Sequence, residues 1–206
     1  MHIESIRLVG SGGHALVVLD SLAALGVPTE AIAVFDQNDA RVGHQIGEHK
    51  VQAFDPANFS GRAVHICIGD NKARERVSSE IAKLGCNLQT IIHPRAIVSA
   101  RAVIGEGTFV AAGAIVSAQA VTGKSCIINH ASVVDHECIL SDFVHIAPGA
   151  TLGGAVSVGH RSLIGAGANI LPRVAIAPDV TIGAGAVLIK NVTESAVYVG
   201  VPAKKV

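Results

Sequence analysis

An α/β domain followed by a three-sided parallel β-helix is the fold this 206-residue sequence predicts. Three observations carry it. An aliphatic residue recurs every six positions through the second half of the chain. A small residue holds the fifth place of each six. The first ninety residues instead alternate strand-like and helix-like stretches. Composition agrees: half of the chain is hydrophobic, but only 3% is aromatic, Trp is absent, and Gly supplies 22 residues. A core built around aromatic rings is excluded.

The repeat starts at Ile92. Steps of six give Ile92, Val98, Ile104, Val110, Val116, Thr122, Ile128, Val134, Leu140, Ile146, Leu152, Val158, Ile164, Ile170, Ile176, Ile182 and Leu188. Only Thr122 is not aliphatic. The fifth position runs from Ala96 through Cys126, Ser132 and Cys138 to Ala186. The second is often glycine, as at Gly105, Gly123, Gly153, Gly159, Gly165 and Gly183. A helix repeats every ~3.6 residues and a strand every ~2, so a period of six fits neither. It fits a prism in which each six residues form one side. The aliphatic fills the interior, the small residue packs near a corner, and the residue after the aliphatic takes the turn. Three sides make a coil, and the run predicts a prism ~25 Å tall at ~4.8 Å per coil. Each coil is buried only by its neighbours. This rule marks the left-handed parallel β-helix. Cys126 and Cys138 sit in the small slot and read as packing residues. With Cys67 and Cys86 they form no CxxC pair, so neither a disulfide scaffold nor a zinc finger is predicted.

The N-terminal elements follow in order. A strand is predicted over 5–9, then Gly10-Ser11-Gly12-Gly13, then a helix over 14–25 closed by Gly26, with Pro28 beyond. A second strand over 31–35 ends at Asp36. A third over 63–68 ends at Gly69-Asp70-Asn71. An amphipathic helix over 72–84 stops at Gly85, and 88–92 leads into the prism. The alternation implies a small parallel sheet with right-handed crossovers. The expected division is a small βαβ domain over 1–90 and a β-helix domain over 91–206. A strand–glycine–helix turn can hold phosphate on backbone N–H groups. Asp36 suits a hydroxyl or a base N–H, or simply starts a loop. The glycines do not space as GxGxxG, so NAD is not specifically indicated.

Lys plus Arg and Asp plus Glu both number 16, which leaves no net charge to favour nucleic acid or an anionic membrane. No apolar run is long enough for a membrane span. The opening MHIESIRLVGSGGH carries Glu4 and does not read as a signal peptide, so a cytoplasmic location is expected.

The segment GSGGHALVV (10–18), the segment NHASVVDHECILSDFVHIAPGATLGG (129–154) and the end VGVPAKKV (199–206) resemble the PglD/NeuD-like sugar acetyltransferases of bacterial glycan biosynthesis. The resemblance covers essentially the whole chain. It implies a homotrimer with acetyl-CoA in the groove between neighbouring prisms and no metal. A nucleotide sugar would hang from the N-terminal domain into that groove. The implied reaction is N-acetylation of the 4-amino group of a UDP-linked 4-amino-4,6-dideoxy sugar. A GDP-linked, perosamine-type amino sugar and O-acetylation of sialic acid are the alternatives within the family.

The resemblance also implies roles. His136 matches the general base. A sugar ammonium cannot attack a thioester, and an imidazole suits that proton transfer near neutral pH. Glu137 matches the acid that strengthens the base. Adjacent strand residues face opposite sides, so Glu137 can assist only where the backbone bends, and Asp135 competes for the task. His145 and Gly154 match positions near the acetyl-CoA. The Gly154 N–H suits the thioester oxyanion, though beside Gly153 it also reads as a turn glycine. Ala166 and Ala184 match the pantetheine groove through their backbones. Gly12, Gly13 and His14 match the turn that meets the nucleotide sugar. Asp36 and Gln37 match the pair at the base and ribose, where some relatives carry Lys in place of Gln37. Asp70 and Asn71 are further candidates, with turn chemistry as their plain alternative. His130, His136, His145 and His160 raise a γ-carbonic-anhydrase-like zinc site as a rival, but their spacing lacks the expected pairs. A non-catalytic assembly module is a third reading, against which the DHE segment at 135–137 argues.

Overall fold

The computed structural model describes residues 3–206. Strands β1 (Ile6–Val9) and β2 (Ile32–Asp36) pair in parallel with Ile6 opposite Ile32. Two-residue strands β3 (Gln45–Ile46) and β4 (His49–Lys50) form a hairpin, and β5 (Gln52–Ala53) joins the edge of the sheet beside β2. Strand β6 (Ala63–Ile66) pairs with the other side of β1, and β7 (Asn87–Leu88) follows β6. The order is therefore β5-β2-β1-β6-β7. Helices α1 (Gly13–Ala24) and α2 (Asn71–Lys83) make the crossovers. Strands β1 and β6 are nearly all buried, as expected for a sheet packed on both faces. Strands β3 to β5 were not predicted, because two-residue strands carry no readable period. The order reverses at β1, which opens a crevice at the carboxyl ends of β1, β2 and β6.

From Ile91 the chain winds as a triangular prism with three parallel faces. The first face stacks Ile91–Ile92, Phe109–Val110, Ile127–Ile128, His145–Ile146, Leu163–Ile164, Thr181–Ile182 and Val197–Val199. The second includes Ile97–Val98, Val133–Val134, Thr151–Leu152 and Val187–Leu188; the third includes Val121–Thr122, Ile139–Leu140 and Ala175–Ile176. The predicted aliphatics and small residues fill its interior, Val134, Leu152 and Ile164 being fully covered. Thr122 is also buried, and its hydroxyl accepts the Gly105 N–H at 3.0 Å, so the exception serves a backbone donor.

One part of the repeat rule needs correction. The left-handed residue of each turn is the fourth of the six, not the second. It is Ser125, Ala131, Glu137, Ala155, Arg161 and Arg173 in successive examples, with φ between 48° and 63°. The second-position glycines have ordinary φ. They are glycine because a Cβ would strike the coil above: at Gly105 the Gly123 carbonyl, at Gly159 the backbone of Pro178.

The N-terminal sheet sits on the first face. Phe109 and Ile127 point out of the prism into the core formed by Leu8, Val18 and Leu22. Helix α2 docks on the edge between the third and first faces through Arg74, whose side chain is only 1% exposed. Its guanidinium has no carboxylate partner among the described residues and donates to five oxygens: Ser125 O, Ile68 O, Gly69 O, Phe143 O and Asn71 Oδ1, at 2.7 to 3.0 Å. Outside it, Arg161 bridges Glu75 of α2 at 2.7 Å and Asp179 of the next coil at 2.8 Å. No helix among the described residues is long and apolar enough to cross a membrane.

Candidate active site

His136 lies at the edge between the second and third faces, in the turn after Val133–Val134. The next residue, Glu137, has φ +60°, which supplies the bend the sequence required. Its carboxylate folds back, and His136 Nδ1 lies 3.0 Å from Glu137 Oε2. Nδ1–H therefore donates to the carboxylate, and Nε2 is left as a proton acceptor. Asp135 does a different job: its Oδ1 accepts the His136 backbone N–H at 2.7 Å. Both members of the couple are more than half exposed, at 57% and 58%, so a substrate can reach them. Gly154 stacks one coil above. A Cβ there would collide with the His136 ring at Cε1 and Nε2. The Gly154 carbonyl accepts the Arg173 N–H at 2.9 Å, while its own N–H has no partner among the described residues.

A second group of polar side chains lies under α1. The His14 ring stands edge-on to Phe109 with centroids 5.2 Å apart, and its buried Nε2 has no hydrogen-bond partner among the described residues. Burial, then the nearby His65, His145, Arg74 and His130, push its pKa down to about 3. His145 approaches Asn129 at 3.3 Å and is driven to about 4 by burial and then Arg74. Both rings are neutral at physiological pH.

The crevice at the sheet's carboxyl ends has a volume of about 290 Å³ and is lined by Gly10, Asp36, Gln37, Asn38, Ile68 and Arg76. Gly10 has φ +105°, and a Cβ would meet Cys67 O and Ile68. Gly12 caps α1 without a side chain, and the space around Gly12 and Gly13 is open. Asp36 is occupied by the turn: Oδ2 accepts from Ser11 N and Oγ at 2.8 and 2.6 Å, and Oδ1 accepts from Asn38 N. Gln37 donates to Glu80 at 2.6 Å and accepts from Arg76 at 3.0 Å. Two further candidates, Asp70 and Asn71, also make contacts within the fold. Asp70 caps α2 by accepting the Ala73 N–H at 2.8 Å. Asn71 is spent on docking, donating to Arg161 O and Ser162 O and accepting from Arg74.

The structure thus brings together His136, Glu137 and Gly154 on one edge. Ala166 and Ala184 lie in turns of the edge between the first and second faces, and His145 lies on the first face. The whole second face separates these two sets within one chain. Sequence reasoning missed Arg74. Its signal was available: helical spacing puts it on the face of Val77, Ser78 and Ile81. Cys126 and Cys138 are buried and donate to Ser141 O and Gly153 O, as packing residues do. Among the described residues no group of three His, Cys, Asp or Glu is gathered as metal ligands.

The molecule thus joins a three-sided prism carrying an edge histidine couple to an α/β domain with a crevice of its own. The PglD N-terminal domain family matches residues 5–81. Perosamine N-acetyltransferase from Caulobacter crescentus, solved with CoA and GDP-perosamine, is 35% identical; the match covers 99% of this chain and 97% of that one, with TM-score 0.90. The acetyltransferase domain of PglB from Neisseria gonorrhoeae is 34% identical over 98% of this chain and 100% of its own, with TM-score 0.89. A serine acetyltransferase from Mycobacterium tuberculosis is 46% identical over 71 residues, and this chain spans only 31% of its length. The chain belongs to the PglD-like family of sugar acetyltransferases, and its prism is the left-handed β-helix of that family.

Proposed function

We propose that this protein transfers the acetyl group of acetyl-CoA to the 4-amino group of a UDP-linked 4-amino-4,6-dideoxy sugar. The observation that carries the reading is the His136–Glu137 couple seated on Gly154 at an open edge of the prism. Residues 1–90 act as the nucleotide-sugar module and 91–206 as the catalytic module. His136 Nε2 takes the proton from the attacking amine, and the Glu137 carboxylate stabilises the imidazolium that forms. The partnerless Gly154 N–H stands beside the ring and meets the oxyanion as it develops on the thioester carbon. His145, Ala166 and Ala184 line the groove for acetyl-CoA. Gly12, Gly13 and His14 meet the nucleotide sugar, with Gln37 at the far end of the crevice. Asp36 acts by holding the glycine turn open.

The two halves of this site lie on different edges of one prism. The enzyme therefore works as a homotrimer, with the His136 edge of one copy facing the Ala166–Ala184 edge of the next. Acetyl-CoA and nucleotide sugars are metabolites of the cytoplasm, where the enzyme is expected to act. The GDP-perosamine complex of the Caulobacter relative, at 35% identity, supports a second reading in which the acceptor is GDP-linked. Release of CoA thiol from acetyl-CoA, with mass analysis of product, tests both. The acceptors are a UDP-4-amino-4,6-dideoxy sugar, a GDP-4-amino sugar and sialic acid. Turnover with the UDP sugar is expected. Turnover only with the GDP sugar moves the assignment to the second reading, and turnover only with sialic acid overturns N-acetylation.

A further inference from the structure

Only two buried side-chain nitrogens or oxygens lack a hydrogen-bond partner among the described residues: Nε2 of His14 and Nε2 of His65. They belong to one cluster. Both rings stand against Phe109, with centroids 5.2 and 6.1 Å from that of the phenyl ring. After burial, His65 has the largest influence on His14. His65 lies on β6 and is 1% exposed. Its Nδ1 is 2.8 Å from Gln89 O. A carbonyl only accepts, so Nδ1 carries the proton and Nε2 is a bare lone pair. Burial holds both rings neutral, with pKa values of about 3 for His14 and about 4 for His65, so each has one N–H and one bare nitrogen. His14 can place its proton on either nitrogen. A bare nitrogen enclosed beside that of His65 would leave two lone pairs in a low-dielectric interior with no donor, whereas an N–H there supplies one. The other neighbours are engaged: Arg74 donates to carbonyls and Asn71, and His145 faces Asn129.

We infer that His65 is a positioning residue for the acceptor: its bare Nε2 draws the His14 proton to the inward Nε2 and leaves His14 Nδ1 as a hydrogen-bond acceptor for the amino group of the sugar. The inference rests on His14 meeting the nucleotide sugar. The chemistry of the substrate calls for that polarity. A sugar ammonium only donates, and a free amine that aims its lone pair at the thioester also turns its N–H groups to the protein. The His14 side chain is half-buried and follows Gly12 and Gly13, around which the space is open. Nε2 is its enclosed nitrogen, so Nδ1 is the one left for a ligand.

Nitrogen NMR of isotope-labelled histidines reads the tautomer, because protonated and bare ring nitrogens differ widely in shift. A His14→Leu variant assigns the signal. Wild-type His14 is expected as the Nε2–H tautomer. Finding it as Nδ1–H overturns the inference, whether or not any His65 variant folds. His65→Phe keeps a ring but removes the lone pair. It is expected to move His14 toward Nδ1–H and to raise KM for the UDP- or GDP-linked amino sugar that turns over about tenfold, with KM for acetyl-CoA unchanged. His65→Gln, which sets an oxygen acceptor near the place of Nε2, keeps the wild-type tautomer and KM. A folded His65→Phe that keeps both overturns His65 as the positioning residue. A tautomer that follows His65, while neither His65→Phe nor His14→Leu moves the acceptor KM, overturns the placing of His14 at the sugar on which the inference rests.

Discussion

Gly154 shows how one missing carbon supports the proposed chemistry. Its φ is not in the left-handed region, so it is not needed for the turn. It is needed because the imidazole of His136 occupies the place of a Cβ. Gly154→Ala therefore displaces the ring rather than the coil. The expected outcome is a fall in kcat of about a hundredfold, as an angstrom of misplacement costs elsewhere, with an unchanged melting temperature. His136→Ala is expected to lose at least as much, since general base catalysis contributes ~10²–10⁴. Steady-state kinetics with the preferred acceptor measures both, and near-normal turnover of His136→Ala would remove it from the role of base. Glu137→Gln keeps the hydrogen-bond length but loses the charge. It should lower kcat less than His136→Ala does.

Helix α2 and the third-to-first edge make the junction between the N-terminal domain and the prism. Arg74 binds five oxygens from three separate segments, with no ion-pair partner among the described residues. Arg74→Met would leave buried carbonyls unpaired, each costing ~1–3 kcal/mol, so a loss of at least ~3 kcal/mol is expected in urea unfolding. A loss below ~1 kcal/mol would contradict the strut. The junction also shapes the pH response. His14, His65 and His145 are held near 3, 4 and 4, in each case chiefly by burial. Above about pH 6.5 they are neutral in both folded and unfolded chains. As pH falls from about 6.5 toward 4, the unfolded chain takes up protons that the folded one refuses, so stability falls. The melting temperature should drop across that window, and His65→Met should flatten the slope; an unchanged slope would argue against buried neutral histidines. Helical spacing placed Arg74 on the buried face of α2, but its partners Ser125 and Phe143 were not legible in the sequence, because they lie far along the chain. The prism was legible, because every coil meets the same neighbour at the same distance, and one steric rule is written many times over. The His136–Glu137 couple was half legible: adjacency brought the two together, but only the left-handed turn shows how their side chains meet.

At the scale of the whole molecule, the prism separates what the proposed reaction would have to join. His136 and Gly154 project from the edge between the second and third faces. Ala166 and Ala184 project from the edge between the first and second, on the side where the N-terminal sheet sits. A rigid prism cannot fold one edge onto the other. Side-by-side packing of copies can, and the apolar residues left on the outer faces, Ile97 at 65% and Ile139 at 57%, suit a buried contact between prisms. The proposed trimer therefore predicts complementation. A His136→Ala chain is inactive through one edge, and an Ala184→Trp chain through the other. Co-expressed in equal amount, they assemble at random. An interface with two intact edges forms with a probability of about one quarter, so about a quarter of wild-type activity should return. Each variant purified alone stays near zero. Recovery requires that the edges come from different copies, because neither chain contains both intact. Failure to recover activity in mixed trimers, verified by mass and by differential tags, would place the complete site within one chain.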